Sequence, residues 1–133
     1  MNINVVVNIL LFIALIVLIF FSYVYPKWNL KRNAKVVDNG EFARLIPVSQ
    51  LIDIREANQF RVKHILGARN ISSSQIEQSL NAISKNKPVL IYENAKPTAA
   101  AKVAKQLKKS GVPEIYVLKG GLTKWEGKTK AGV

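Results

Sequence analysis

Between Val5 and Phe21 the chain reads VVVNILLFIALIVLIFF, a run without a single charged side chain. Extended to Tyr23 it gives roughly 20 residues, or about 30 Å of α-helix, which matches the hydrocarbon core of a bilayer. A secretory signal peptide is the competing possibility. That requires a basic start, an apolar run of about 7 to 15 residues and small residues at a cleavage site. Here MNIN has no positive side chain, and the segment after the run, FSYVYPKW, is bulky. Residues 1–25 are therefore expected to be an uncleaved transmembrane anchor that meets the membrane through residues 5–23. Asn8, close to the helix end, is expected to reach the interface rather than pair one anchor with another.

A length of 133 residues leaves room for one domain beyond the anchor and not for two. All charged side chains follow Pro26, beginning with Lys27, Lys31, Arg32 and Lys35. Residues 26–33 read as a basic juxtamembrane linker. By the positive-inside rule this predicts a single-pass protein of the cell membrane whose soluble domain faces the cytoplasm. Tyr23, Tyr25 and Trp28 fall where aromatic residues line the interface. The 20 Lys and Arg against 8 Asp and Glu give a net charge of +12, which favours attraction to anionic lipid headgroups. Nucleic acid is not expected, because no aromatic-and-basic platform is evident. A protein partner is expected, its identity open.

There is no cysteine. Disulfides, thiolate metal sites and thiol chemistry are thereby excluded for this chain. His64 is the only histidine, so no His cluster for a metal exists, and neither metal nor cofactor is expected.

Beyond the linker, short apolar runs alternate with amphipathic stretches. AKVV is a short strand, GEFARLI a short helix capped by Asp38 or Asn39, and QLIDI a buried strand. EANQFRVKHI predicts a helix of one or two turns ending at Gly67, and ARNIS a brief strand. Ser74 and Glu77 form a Ser-x-x-Glu capping box for a helix carrying Ile76, Leu80 and Ile83 on one face. VLIY is a strand after Pro88, and a helix from Thr98 to Ser110 closes at Gly111. It places Val103, Ala104 and Leu107 on one side and Lys102, Lys105 and Lys109 on another. EIYVL is the next strand, followed by a short helix around Leu122 to Trp125. Strands alternating with helices imply an α/β fold with a mostly parallel central sheet covered on both faces.

The segment LIDIREANQFRVKHILGARNIS resembles the rhodanese-like domain. Asp53, Arg55, Glu56, Phe60, His64, Ile65, Gly67 and Ala68 fall at the family's Asp-x-Arg, Glu, aromatic, His-Ile and Gly-Ala places, with Lys63 where a glycine is usual. VLKGGLTKW resembles the closing motif, with Gly120, Gly121 and Trp125 in position. The resemblance covers about residues 34–127 and leaves 128–133 as a C-terminal tail. It implies a three-layer rhodanese-like fold behind one N-terminal transmembrane helix. On the residues alone, Asp53 and Arg55 form an ion pair at the end of a buried strand, and His64 is a satisfied turn or core residue.

The resemblance also implies that the residue after VLIY is a cysteine whose loop amides surround the thiolate while it carries a sulfane sulfur as a persulfide. In this chain Glu93 stands at that cysteine, Lys96 at the loop glycine and Thr98 at the loop arginine. The loop Glu93, Asn94, Ala95, Lys96, Pro97 and Thr98 is thus a degenerate active-site loop, with no catalytic residue assigned. Loop amides and the start of the following helix favour a negative charge. Two placements of Glu93 are open: filling that cradle from within, or facing solvent. The expected function is a binding or scaffolding module without sulfurtransferase activity. The alternatives are an enzyme using Glu93 as general base and a sulfur relay that borrows a partner's cysteine.

Overall fold

In a computed structural model that describes residues 1–133, the apolar run forms helix α1, Ile3–Ile19. One π-helical turn, Phe20–Val24, leads into α2, Tyr25–Asn33, which contains Pro26 in its first turn. Pro26 has no N–H to donate, and the irregular π-helical turn just before it, where the Tyr25 N–H reaches back to the Phe20 carbonyl, is where the helix accommodates it. Helical backbone is unbroken from Ile3 to Asn33, and this stretch is long and apolar enough to cross a membrane. The segment expected as a linker is therefore helical. Leu30, on its inner face, is buried in the domain core.

The domain continues with β1 (Lys35–Val37), α3 (Asn39–Leu45), β2 (Gln50–Asp53), α4 (Ala57–Val62), β3 (His64–Ile65) and β4 (Arg69–Asn70). Then come α5 (Ile76–Ser79), β5 (Val89–Tyr92), α6 (Ala100–Ser110), β6 (Ile115–Leu118) and β7 (Thr129–Lys130). The main sheet has the order β1-β6-β5-β2-β4, with every neighbouring pair parallel. Side chains alternate across a strand, so each central strand feeds two cores. Ile52, Ile54, Val89, Ile91, Ile115 and Val117 face Val103, Ala104 and Leu107 of α6, with Leu30 and Ile76 alongside. Leu51, Leu90, Tyr92 and Leu118 face Phe42 and Leu122 on the other side. All four residues of β5 are buried, as a strand covered on both faces requires.

Two local expectations are met in detail. The Asp38 carboxylate accepts the Glu41 N–H at 2.9 Å and caps α3, and Gly111 ends α6 in the left-handed region at φ 106°. Three others are corrected. The Ser74 and Glu77 capping box does not form: Ser72 takes the extended position before a 3-10 turn at Ser73–Gln75, and Ser74 meets the Ser72 hydroxyl instead. The helix expected after it is reduced to a single α-turn between two 3-10 turns, because Ile76 and Ile83 reach the core by irregular backbone. Residues 128–133 are not a free tail. β7 pairs antiparallel with β3, and the Gly132 N–H donates to the Arg61 carbonyl at 2.7 Å.

Candidate functional site

Register places the site. Asp53 at the end of β2 lies opposite Tyr92 at the end of β5, so Ile54–Arg55 and Glu93–Asn94 leave the sheet side by side. The carboxyl ends of parallel strands are where α/β folds bind ligands.

The first of these junctions is internally neutral. Asp53 is fully buried, and Arg55 reaches both its oxygens, with Nε at 3.0 and 3.1 Å and Nη2 at 2.7 Å. The Arg55 backbone N–H adds a bond to Oδ1 at 2.9 Å. Burial alone would lower the guanidinium pKa, but the bond to Asp53 and its charge outweigh that and raise it. The rest of the guanidinium is used as well: Nη1 donates to Asn94 Oδ1 at 2.9 Å and Nη2 to the Lys63 carbonyl at 2.6 Å. Asn70 Nδ2 donates to the carbonyls of both Asp53 and Arg55, at 3.0 and 2.9 Å. Tyr92 completes this layer. Its hydroxyl accepts the Ile65 N–H at 3.0 Å, and burial, followed by the neighbouring Asp53, pushes its pKa far up. Nothing in the sequence singled out Tyr92, since a tyrosine ending an apolar run reads simply as core.

His64 is buried and satisfied. Its Nδ1–H donates to the Phe60 carbonyl at 2.8 Å, and the two rings stack with centroids 3.7 Å apart. Gly67 makes the turn after β3 at φ +90°.

The second junction resolves the placement of Glu93: its carboxylate turns inward. Oε2 accepts the N–H groups of Thr98 at 2.7 Å and Ala100 at 3.0 Å. Oε1 accepts the Ala99 N–H at 3.0 Å and the Thr98 hydroxyl at 2.9 Å. These are the free amides at the start of α6, where the helix dipole favours an anion. A carboxylate has about four acceptor positions, and all are taken. Asn94, Ala95 and Lys96 remain exposed, and Pro97 contributes no N–H.

The loop is gripped from both sides. On one side the Arg55 guanidinium holds the Asn94 side chain. Opposite, Leu122 N–H donates to the Glu93 carbonyl and Thr123 N–H to the Asn94 carbonyl, both at 2.9 Å, and the Thr123 hydroxyl donates to the same Asn94 carbonyl. This close approach explains Gly121: its φ is +61°, and a Cβ there would stand 2.5 Å from the Glu93 carbonyl oxygen. At Gly120 a Cβ would meet only the flexible Lys124 side chain. Trp125 supports the turn from below, edge-on to Phe42 with centroids 5.8 Å apart. The expected site residues are thus brought to one edge of the sheet, except that His64 and Gly67 shape the adjoining turn. An open cleft of about 610 Å³ lies over them, lined by Arg55, Glu56, Gln59, Ser73, Glu93 and Lys96 among others.

This geometry has known relatives. The rhodanese-like domain family matches residues 38–128. The chain belongs to that family. YqhL of Bacillus subtilis, described as an uncharacterized protein, is 44% identical over 123 residues, covering 92% of this chain and 93% of its own. A thiosulfate sulfurtransferase, GlpE of Coxiella burnetii, is 29% identical over 76 residues, 57% of this chain and 70% of its own. Among solved structures, a rhodanese-like domain protein of Staphylococcus aureus superposes with a TM-score of 0.65 at 21% identity, over 74% of this chain and 99% of the other. At that identity the match speaks for the fold. As a rhodanese-like domain without cysteine, this chain has no thiolate of its own to carry sulfur.

Proposed function

We propose that this rhodanese-like domain is a membrane-anchored binding or scaffolding module that does not transfer sulfur. The observation behind this is the Glu93 carboxylate seated on three backbone amides and a hydroxyl. In the family's enzymes, by resemblance, that cradle belongs to a thiolate and its sulfane sulfur. Here an internal anion occupies it, so the loop is held in shape without substrate. A general-base role for Glu93 fits less well, because a base needs a free lone pair aimed at a substrate proton. A cysteine lent by a partner would likewise meet a cradle already filled.

The apolar helix and the first basic residues after it support a single-pass arrangement with the domain in the cytoplasm. Protease added outside intact cells is then expected to leave the domain uncut, and digestion from outside would reverse the topology. For the chemistry, purified protein with thiosulfate and cyanide is expected to form no thiocyanate above a buffer control. Turnover that tracks with the protein through purification would overturn the reading. Glu93→Cys supplies a thiol but neither the loop glycine nor the arginine, given Lys96 and Thr98. It is expected to react with thiol reagents without saturable thiosulfate turnover. Recovery of binding partners from solubilised membranes, lost when residues 38–128 are removed, is the positive test.

A further inference from the structure

The apolar helix does not stop where the lipid should. Helical backbone continues to Asn33, and α2 packs against α6 with Leu30 buried in the same core as Val103, Ala104 and Leu107. The point at which the apolar span reaches the domain is therefore fixed relative to the sheet. Residues 31–35 share a hollow of about 280 Å³ with Lys108 and residues 113–116. The end of α2 thus lies beside the end of α6, at the edge where β1 and β6 begin. Hence α2 runs alongside α6 in the same sense. Its first residue, Tyr25, lies toward the edge where α6 starts, which is the edge of Glu93. At 1.5 Å per residue, α2 is about 13 Å long and α6 about 16 Å, so their first turns stand at nearly one level. Immediately before Tyr25 comes the apolar span.

We propose that the carboxyl edge of the sheet, with the Glu93 cleft, docks onto the anionic headgroup layer of the membrane that the helix crosses. This rests on the proposed membrane anchor. Lys96 follows β5, Lys119 follows β6, and Lys124 sits in the adjoining 3-10 turn, whose carbonyl accepts Asn39 Nδ2; all three lysines are exposed. Of the acids at this edge, Asp38 caps α3, Glu41 is paired with Arg44 and Glu93 is consumed by the loop amides. Glu56 and Glu126 are exposed. Exposed lysines held against a bilayer attract lipid phosphates, and salt weakens the attraction. The cleft then opens onto the membrane surface, so what enters it comes from that surface.

The absence of cysteine provides a direct test, since Ala95→Cys and Asn86→Cys each create a unique labelling site, one on each edge of the sheet. The full chain is reconstituted in phosphatidylcholine–phosphatidylglycerol vesicles, labelled with a fluorophore and exposed to a headgroup nitroxide lipid. Strong quenching at position 95 and weak quenching at 86 are expected. Equal or reversed quenching overturns the orientation. The triple change Lys96→Glu, Lys119→Glu, Lys124→Glu, or omission of phosphatidylglycerol, is expected to reduce quenching at 95 several-fold. No reduction overturns the contact with anionic lipid. Quenching at 95 that appears only when other membrane proteins are added overturns it in favour of a protein occupant. Full extraction of the unlabelled chain by alkaline carbonate overturns the anchor itself, and is distinguished from a wrong orientation because the chain then leaves the vesicles.

Discussion

Asp53 and Glu93 stand at the ends of neighbouring parallel strands, and each is neutralised from within the chain, by opposite means. Asp53 is fully buried and meets a full countercharge, Arg55, in a two-pronged pair. Glu93 lies at the rim, half-buried, and meets only neutral donors: three amides and a hydroxyl. The difference comes from solvent. A carboxylate sealed in a core costs several kcal/mol unless an ion of opposite sign is sealed in with it. One at a helix start keeps part of its hydration, and the partial charges of the free amides suffice.

This contrast is easiest to break at Asp53. Asp53→Ala leaves the Arg55 guanidinium buried and unpaired, and is expected to cost about 3–5 kcal/mol in denaturant unfolding of the domain. A loss below about 1 kcal/mol would mean that water reaches Arg55 and that the junction is not sealed.

Tyr92→Phe ranks second. It leaves the Ile65 N–H without its partner, at an expected cost of about 1–3 kcal/mol. The same residue sets a pH dependence. Because folding raises the Tyr92 pKa, its contribution is fully present below the ordinary phenol value of about 10 and is lost as pH rises further. Unfolding of the parent domain is expected to ease above that pH, and the Phe variant to show a flatter alkaline limb. Equal slopes would remove Tyr92 from the sealed layer.

Glu93→Ala is expected to cost less, about 0.5–2 kcal/mol, the range for losing a helix cap, because water can reach the freed amides. If it costs as much as Asp53→Ala, the two junctions are equally sealed and the contrast fails. Lys109→Ala, on the exposed face of α6, is expected to change stability by less than about 0.5 kcal/mol.

Much of this was legible in local pattern. The Asp53 and Arg55 pair, the Asp38 cap and the Gly111 stop each depend on residues a few positions apart, or on one residue's own backbone freedom. Glu93 was legible as a substitution in a recognised loop, but its orientation was not. Both solvent and the amides of residues 98–100 were within its reach. The bond from Arg55 to Asn94 spans 39 positions, and sequence spacing says nothing about such a contact. Likewise Ser74 and Glu77 spell a helix start that the chain does not use, because the core draws in Ile76 and Ile83 by another route.

By itself the amino-acid sequence determined that one uncharged segment can cross a membrane, that no sulfur nucleophile exists, and that strands alternate with helices. These are matters of composition and of side-chain period, and no distant contact can alter them. Only the tertiary structure decided that α2 is docked on α6 rather than serving as a loose linker, that Gly121 must lack a side chain because the Glu93 carbonyl lies against it, and that the Glu93 carboxylate fills its own cradle. Each of those depends on which strands became neighbours, and parallel pairing brings together residues that the chain keeps far apart.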